Sequence, residues 1–102
     1  MNLDKLDAAI AYIEAHPGDH DQMTWLEARC GTTACLAGHV ALLNGGVPAE
    51  PGLVLVNGRR VHVSDYANEV LDLSHDQHER LFYAGDLEEI RDVRNLIAAG
   101  DL

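Results

Sequence analysis

The chain has 102 residues, 47% of them hydrophobic, and carries seventeen acidic side chains against one Lys and six Arg, for a net charge of −10. That length supports a single domain over 1–102, because either half alone would be near the size at which a hydrophobic core becomes marginal, and it excludes a scaffold as large as a TIM barrel. The apolar fraction argues against disorder. The negative field argues against binding through nucleic-acid phosphates or to anionic membrane surfaces.

The opening residues run straight into charged amphipathic sequence, without a basic stretch followed by an apolar one. Leu3, Leu6, Ile10 and Ile13 repeat at helical spacing, Asn2 is placed to cap them, and His16-Pro17-Gly18 ends the helix. Asp19 or Asp21 is expected to cap a short second helix carrying Met23, Trp25 and Leu26. A third helix is expected from Thr33 to Asn44, capped by Thr32 or Thr33 and ended at Asn44-Gly45. It is apolar almost all round, which puts it at the centre of the fold, and Ala34, Gly38 and Ala41 form a stripe against which another backbone can pack closely. The uncharged stretch from Cys30 to Ala49 is interrupted by glycines, threonines, His39, Asn44 and Pro48, so it suits a buried helix better than a lipid span.

Pro48 and Pro51 break the chain before Leu53–Val56 and Arg59–Val63, two β-prone runs joined by Asn57-Gly58, the dipeptide that best tolerates a type I′ turn. A lone hairpin is marginal in water, so this one must lie on the helices or pair with another edge; its Val61-His62-Val63 edge also offers a route to pairing with a partner protein or with a second copy as a homodimer. Ser64 is expected to cap a helix ending near Leu73. Ser74-His-Asp-Gln77 fits a capping box for a helix bearing Leu81 and Phe82. Asp86-Leu-Glu-Glu89 opens a last helix carrying Leu87, Ile90, Val93 and Ile97, which Gly100 stops. Asp76–Arg80 and Glu88–Arg91 are expected as pairs on single helix surfaces. The fold class is α+β, mainly α: a helical domain around a buried central helix, with one inserted β-hairpin.

Charge is unevenly distributed. Residues 1–29 carry six acids and two bases, residues 30–63 one acid and two bases, and residues 64–102 ten acids and three bases. The acidity therefore lies on the outer helices, either as solvated faces or as a docking surface for a basic partner.

Cys30, Cys35 and His39 form the one local constellation with chemical potential. Cys35 and His39 are four apart on one helix face, Cys35 falls in the first turn, where the helix dipole lowers a thiol pKa, and Cys30 lies just upstream. The layout resembles the Cys-x2-Cys-x3-His pattern of alkylhydroperoxidase-D-like proteins, with two more residues between the thiols. A redox dithiol is one reading. A zinc site completed by His16, His20, His75 or His78 is a second. Two small buried hydrophobes beside a core histidine is the third, and the one preferred. Trp25, the sole tryptophan, reads as a core or seam residue. There is no nucleophile-elbow serine and no phosphate-cradling glycine loop.

Trp25, the run Cys30-Gly-Thr-Thr-Ala-Cys-Leu-Ala-Gly-His39, Tyr66-Ala-Asn-Glu-Val-Leu71 and Leu81-Phe82 together resemble a family of small acidic actinobacterial and actinophage proteins. The resemblance implies a phage- or prophage-encoded accessory protein acting on a host component, and it carries over no functional residue. The expected function is that of a non-enzymatic, acidic, cytoplasmic interaction module, without cofactor, that binds and modulates a host or cellular protein bearing a basic surface. The alternative is a thiol-redox enzyme or sensor using Cys30, Cys35 and His39, and the third reading a zinc-stabilised domain.

Overall fold

The computed structural model describes residues 1–27 and 33–102. Its first helix, α1 (Leu3–Ala15), begins where Asn2 Oδ1 accepts the Lys5 amide at 3.1 Å and buries Leu6, Ala9, Ile10 and Ile13. Pro17 cannot continue an α-helix, and Pro17–Asp19 form a single 3-10 turn instead.

The expected second helix does not form. Residues 20–27 run as an irregular segment stitched by backbone bonds to the start of the next helix: His20 bridges Ala34, Glu27 bridges Thr33, and the Cys35 amide donates to Thr24 O. Asp21 caps a turn, accepting the Met23 amide and the Thr24 hydroxyl at 3.0 Å each. Short polar side chains compete with the helical backbone in this way, and here tertiary pairing decides the outcome.

The central helix α2 (Leu36–Leu43) starts three residues later than expected, because Thr33 spends both its amide and its carbonyl on Glu27. Thr32, the other expected cap, lies outside the described residues. Cys35 occupies the cap position without making a side-chain cap bond, and the Leu36 amide is met instead by Gln22 Oε1 at 3.1 Å. Residues Leu36 to Ala41 are buried on every side, as the all-round apolar pattern requires. Gly38 meets the backbone of Trp25, so the small-residue stripe does admit a second backbone.

Past Gly45, which turns at φ +95°, three antiparallel strands follow: β1 (Val47–Pro48), β2 (Leu53–Val56) and β3 (Arg59–His62), in that order across the sheet. Asn57 and Gly58 take φ of 51° and 79°, as a type I′ turn demands. The hairpin gains its extra edge from Val47 and Pro48, with Val47 opposite Leu55 and Pro48 opposite Val54. Pro48 is tolerated there because it sits on an edge strand.

Val63 leaves the strand and becomes the first residue of α3 (Val63–Leu71). Its cap is His62, not Ser64: His62 Nδ1 accepts the Ser64 amide at 3.1 Å and the Ser64 hydroxyl at 2.7 Å. An amide can only donate, so Nδ1 carries no proton in this arrangement. Asp72, at φ 54°, ends α3 in the left-handed conformation before Leu73. The Tyr66 hydroxyl donates to Asn44 O and ties α3 to the end of α2.

α4 (His75–Phe82) opens with the complete Ser74/Gln77 capping box, and α5 (Leu87–Ala98) with Asp86 accepting the Glu89 amide at 2.8 Å. Ser74→Ala removes the oxygen that accepts the Gln77 amide. It is expected to cost about 1 kcal/mol, lowering the melting temperature by about 4–8 °C for a domain of this size, measurable by thermal circular dichroism. Leu81, Phe82, Ile90, Val93 and Ile97 close the core over α1, α2 and α3.

The last helix is also pinned to the first by charge. Arg94 grips Asp7 through two bonds, Nε–Oδ1 at 2.8 Å and Nη2–Oδ2 at 2.9 Å, and Arg91 Nη2 reaches Glu14 Oε1 at 3.1 Å. Arg91 thus pairs across to α1 instead of with Glu88 on its own helix. The expected Asp76–Arg80 pair is not among the ion pairs of the described residues. Of the five α-helices of the described residues, α1, α3 and α4 pack on α2, α5 packs on α1 and α4, and the small sheet joins α3 through β3, an α+β fold that is mainly α.

Candidate functional site

Of the cysteine–histidine constellation, Cys30 lies outside the described residues. Cys35 is a free thiol, 1% exposed, whose Sγ–H points at Trp25 O at 3.8 Å. Burial pushes its pKa up, and the amides at the start of α2 only partly oppose this. The sequence expectation that the helix dipole would lower the thiol pKa therefore reverses in direction, because desolvation is the larger effect here. In a Cys30→Ser background, Cys35 is expected to react with a soluble disulfide reagent at least about 100-fold more slowly in the native protein than in denaturant, since the thiol is reached only through opening of the core.

His39 is also buried, at 2% exposure, and its Nε2 donates to Asp19 O at 2.8 Å. The backbone carbonyl fixes the tautomer, because it can only accept. Desolvation lowers the His39 pKa below its ordinary value. Its ring is flanked by Tyr12 at 5.3 Å and His20 at 6.3 Å between centroids, and Tyr12 stacks on His16 at 4.2 Å. His39 thus turns to the chain at Asp19 and not to the Cys35 thiol. Of the other zinc candidates, His16 bonds Tyr12 O and His20 bonds Gln22 Oε1, while His78 bonds Asn68 Oδ1 and lines one surface pocket with His75 at the start of α4. No group of three or more His, Cys, Asp or Glu side chains disposed to hold a metal is present among the described residues.

A different feature emerges where the irregular 20–27 segment passes the α4–α5 junction. Gln22, Met23 and Trp25 on one side and Phe82, Tyr83, Ala84 and Gly85 on the other enclose an apolar cleft of about 240 Å³. Met23 is 91% exposed and Tyr83 63%, unusual values for large apolar or aromatic side chains in so small a domain. The Trp25 ring is braced edge-on by His62 at 5.0 Å and by Tyr83 at 5.7 Å, so this wall is preformed.

Gln22 shares in the lining with a fixed orientation. Its Oε1 must face the Leu36 amide, which can only donate, and it also accepts from His20 Nε2 at 2.9 Å. Its Nε2 is buried without a hydrogen-bond partner among the described residues. Each lip of the cleft carries a carboxylate held to a lining residue. Asp21 Oδ1 accepts the Met23 amide at 3.0 Å, and Glu89 Oε2 accepts the Gly85 amide at 2.6 Å.

The sequence placed Trp25 at a seam, which agrees with its braced, half-buried ring. It gave no sign of Gln22, Tyr83 or Gly85. The one available signal was Tyr83 directly after the core pair Leu81-Phe82, an aromatic at the end of a helix where the next residue leaves the apolar face.

No family model, no curated protein and no solved structure matches the chain. No helix among the described residues is long and apolar enough to cross a membrane.

Proposed function

We propose that the protein is a non-enzymatic, acidic interaction module that binds a basic surface on another protein and modulates it. The supporting observation is how the charge is left after folding. Arg91 and Arg94 are committed to Glu14 and Asp7, and Arg60 to Glu50, while Asp65, Glu69, Asp76, Glu79, Glu88 and Asp92 stand exposed on α3, α4 and α5 without an ion-pair partner among the described residues. Folding thus consumes two of the three bases of the acidic C-terminal third and presents its carboxylates outward. A surface of this kind attracts and orients a positively charged partner. The resemblance to actinophage proteins adds that the partner is a host component, met in the cytoplasm.

The test is the salt dependence and charge dependence of the complex. With a partner obtained by affinity capture and then purified, affinity is expected to drop about tenfold or more between about 50 mM and about 250 mM salt. It should drop again in Glu88→Lys/Asp92→Lys. Affinity that stays level under both changes overturns the reading.

A further inference from the structure

We infer that the cleft between Gln22–Trp25 and Phe82–Gly85 seats one large apolar side chain of a basic peptide segment, with lysines or arginines of that segment on both sides of the anchor. The inference rests on the interaction-module reading and supplies its point of attachment.

Size sets the first limit. About 240 Å³ is below the roughly 300–1,000 Å³ of sites that enclose a drug-sized ligand or cofactor. It leaves room for a single aromatic or branched aliphatic side chain.

The walls set the second limit. Met23, Trp25, Phe82 and Tyr83 offer an apolar, aromatic surface, and the edge-on contacts of Trp25 with His62 and Tyr83 hold it in place before any ligand arrives. A preformed wall of this kind lowers the ordering cost of binding.

Charge identifies the flanking chemistry. Asp21 and Glu89 are each hydrogen-bonded to the amide of a lining residue, so one carboxylate is fixed on either lip. Glu79, one turn before Tyr83, with Asp86 and Glu88 beyond Gly85, adds exposed acids around them. Among the described residues, the bases on α4 and α5 closest in sequence to these acids are Arg80, which is exposed, and Arg91, which is engaged with Glu14. An apolar anchor between two positive charges matches this arrangement. An acidic segment would be repelled from both lips.

The test is a titration of the ¹⁵N-labelled protein at low salt, followed by amide and indole chemical shifts. The probes are capped peptides Lys-Lys-Phe-Lys-Lys, Lys-Lys-Ala-Lys-Lys and Glu-Glu-Phe-Glu-Glu. With the phenylalanine-centred basic peptide, shifts should concentrate on the Met23 and Gly85 amides and the Trp25 indole. The alanine-centred peptide should bind about tenfold more weakly, and the acidic peptide should not bind. Tyr83→Ser alters an exposed side chain, so the variant should keep the wild-type spectrum elsewhere yet bind the phenylalanine and alanine peptides alike.

Equal affinities for the two basic peptides, with shifts spread along α3 to α5, would overturn the cleft assignment and leave the acidic-module reading standing. Absence of shifts with either basic peptide would overturn both. Cleft resonances that move on simple dilution, without peptide, would assign the cleft to a second copy of the chain and so overturn the peptide proposal.

Discussion

Gly38→Ala is expected to destabilise the protein by about 2 kcal/mol or more, against the usual sign of a glycine-to-alanine change inside a helix. In an open helix the substitution gains about 0.5–1 kcal/mol, because alanine loses less backbone freedom on folding. At Gly38 the added Cβ would sit 2.5 Å from the Ala34 Cβ and closer still to the Trp25 carbonyl oxygen. Neither neighbour is the far end of a flexible side chain. Relief requires the 20–27 segment to move away from α2, which also disturbs the Cys35–Thr24 backbone bond and the Gln22 contact with the Leu36 amide. Overpacking of this kind typically costs about 1–3 kcal/mol and more where backbone must shift, so the steric effect outweighs the propensity gain. Gly18→Ala is the control, since nothing lies within 4 Å of the added Cβ there and its φ is not positive. Urea unfolding midpoints compare the two. A Gly38→Ala midpoint at or above that of the wild type would show that the two backbones are not in contact.

The second large effect is on pH. His39 is buried and its folded pKa is depressed, so the unfolded chain binds the proton more readily than the folded one. Stability is therefore full above the unfolded histidine pKa of about 6.5. It falls as the pH drops from there toward the lower folded value, with a slope of up to about 1.4 kcal/mol per pH unit. Below the folded value the loss is complete and the curve levels. The groups facing His39 are Tyr12, His20 and Asp19. His20 works in the same direction as burial, while the Asp19 carboxylate and its carbonyl bond work against it. His39→Gln keeps a donor for Asp19 O but cannot titrate. Whatever its stability at pH 8, its denaturation free energy should lose most of the decline seen in the wild type between about pH 7 and pH 5. An unchanged decline would place the titrating group elsewhere.

Both effects originate at one place, where the 20–27 segment lies across the first turns of α2, and that segment is also where sequence reasoning was least informative. Its residues read as a capped helix with Met23, Trp25 and Leu26 on one face. Local signals could not show that Glu27 and Thr33 exchange backbone bonds, or that Gln22 supplies the Leu36 amide from fourteen residues away. The candidate site inherits the same difficulty. Met23, Trp25 and Tyr83 are unremarkable apolar residues until the α4–α5 junction is brought beside them. The Cys35–His39 pair shows the converse. Its spacing suggested chemistry, but each side chain finds a backbone carbonyl of the 19–25 segment and not the other.

What the sequence determined by itself was set within a few residues of chain. Asn2, the Ser74/Gln77 box and Asp86 start α1, α4 and α5, Pro17 stops α1, and Asn57-Gly58 turns the hairpin. The all-round apolar pattern put α2 at the centre. These outcomes rest on φ preferences, local hydrogen bonds and hydrophobic periodicity, which act over one or two turns of chain. Only the tertiary structure decided where α2 begins, that Val47 and Pro48 complete the sheet, that Arg91 and Arg94 cross to α1, and that a cleft opens at Trp25. In each case the deciding partner lies far away in the chain, and the balance between a local bond and a distant one is settled by which of them the packed core can bury.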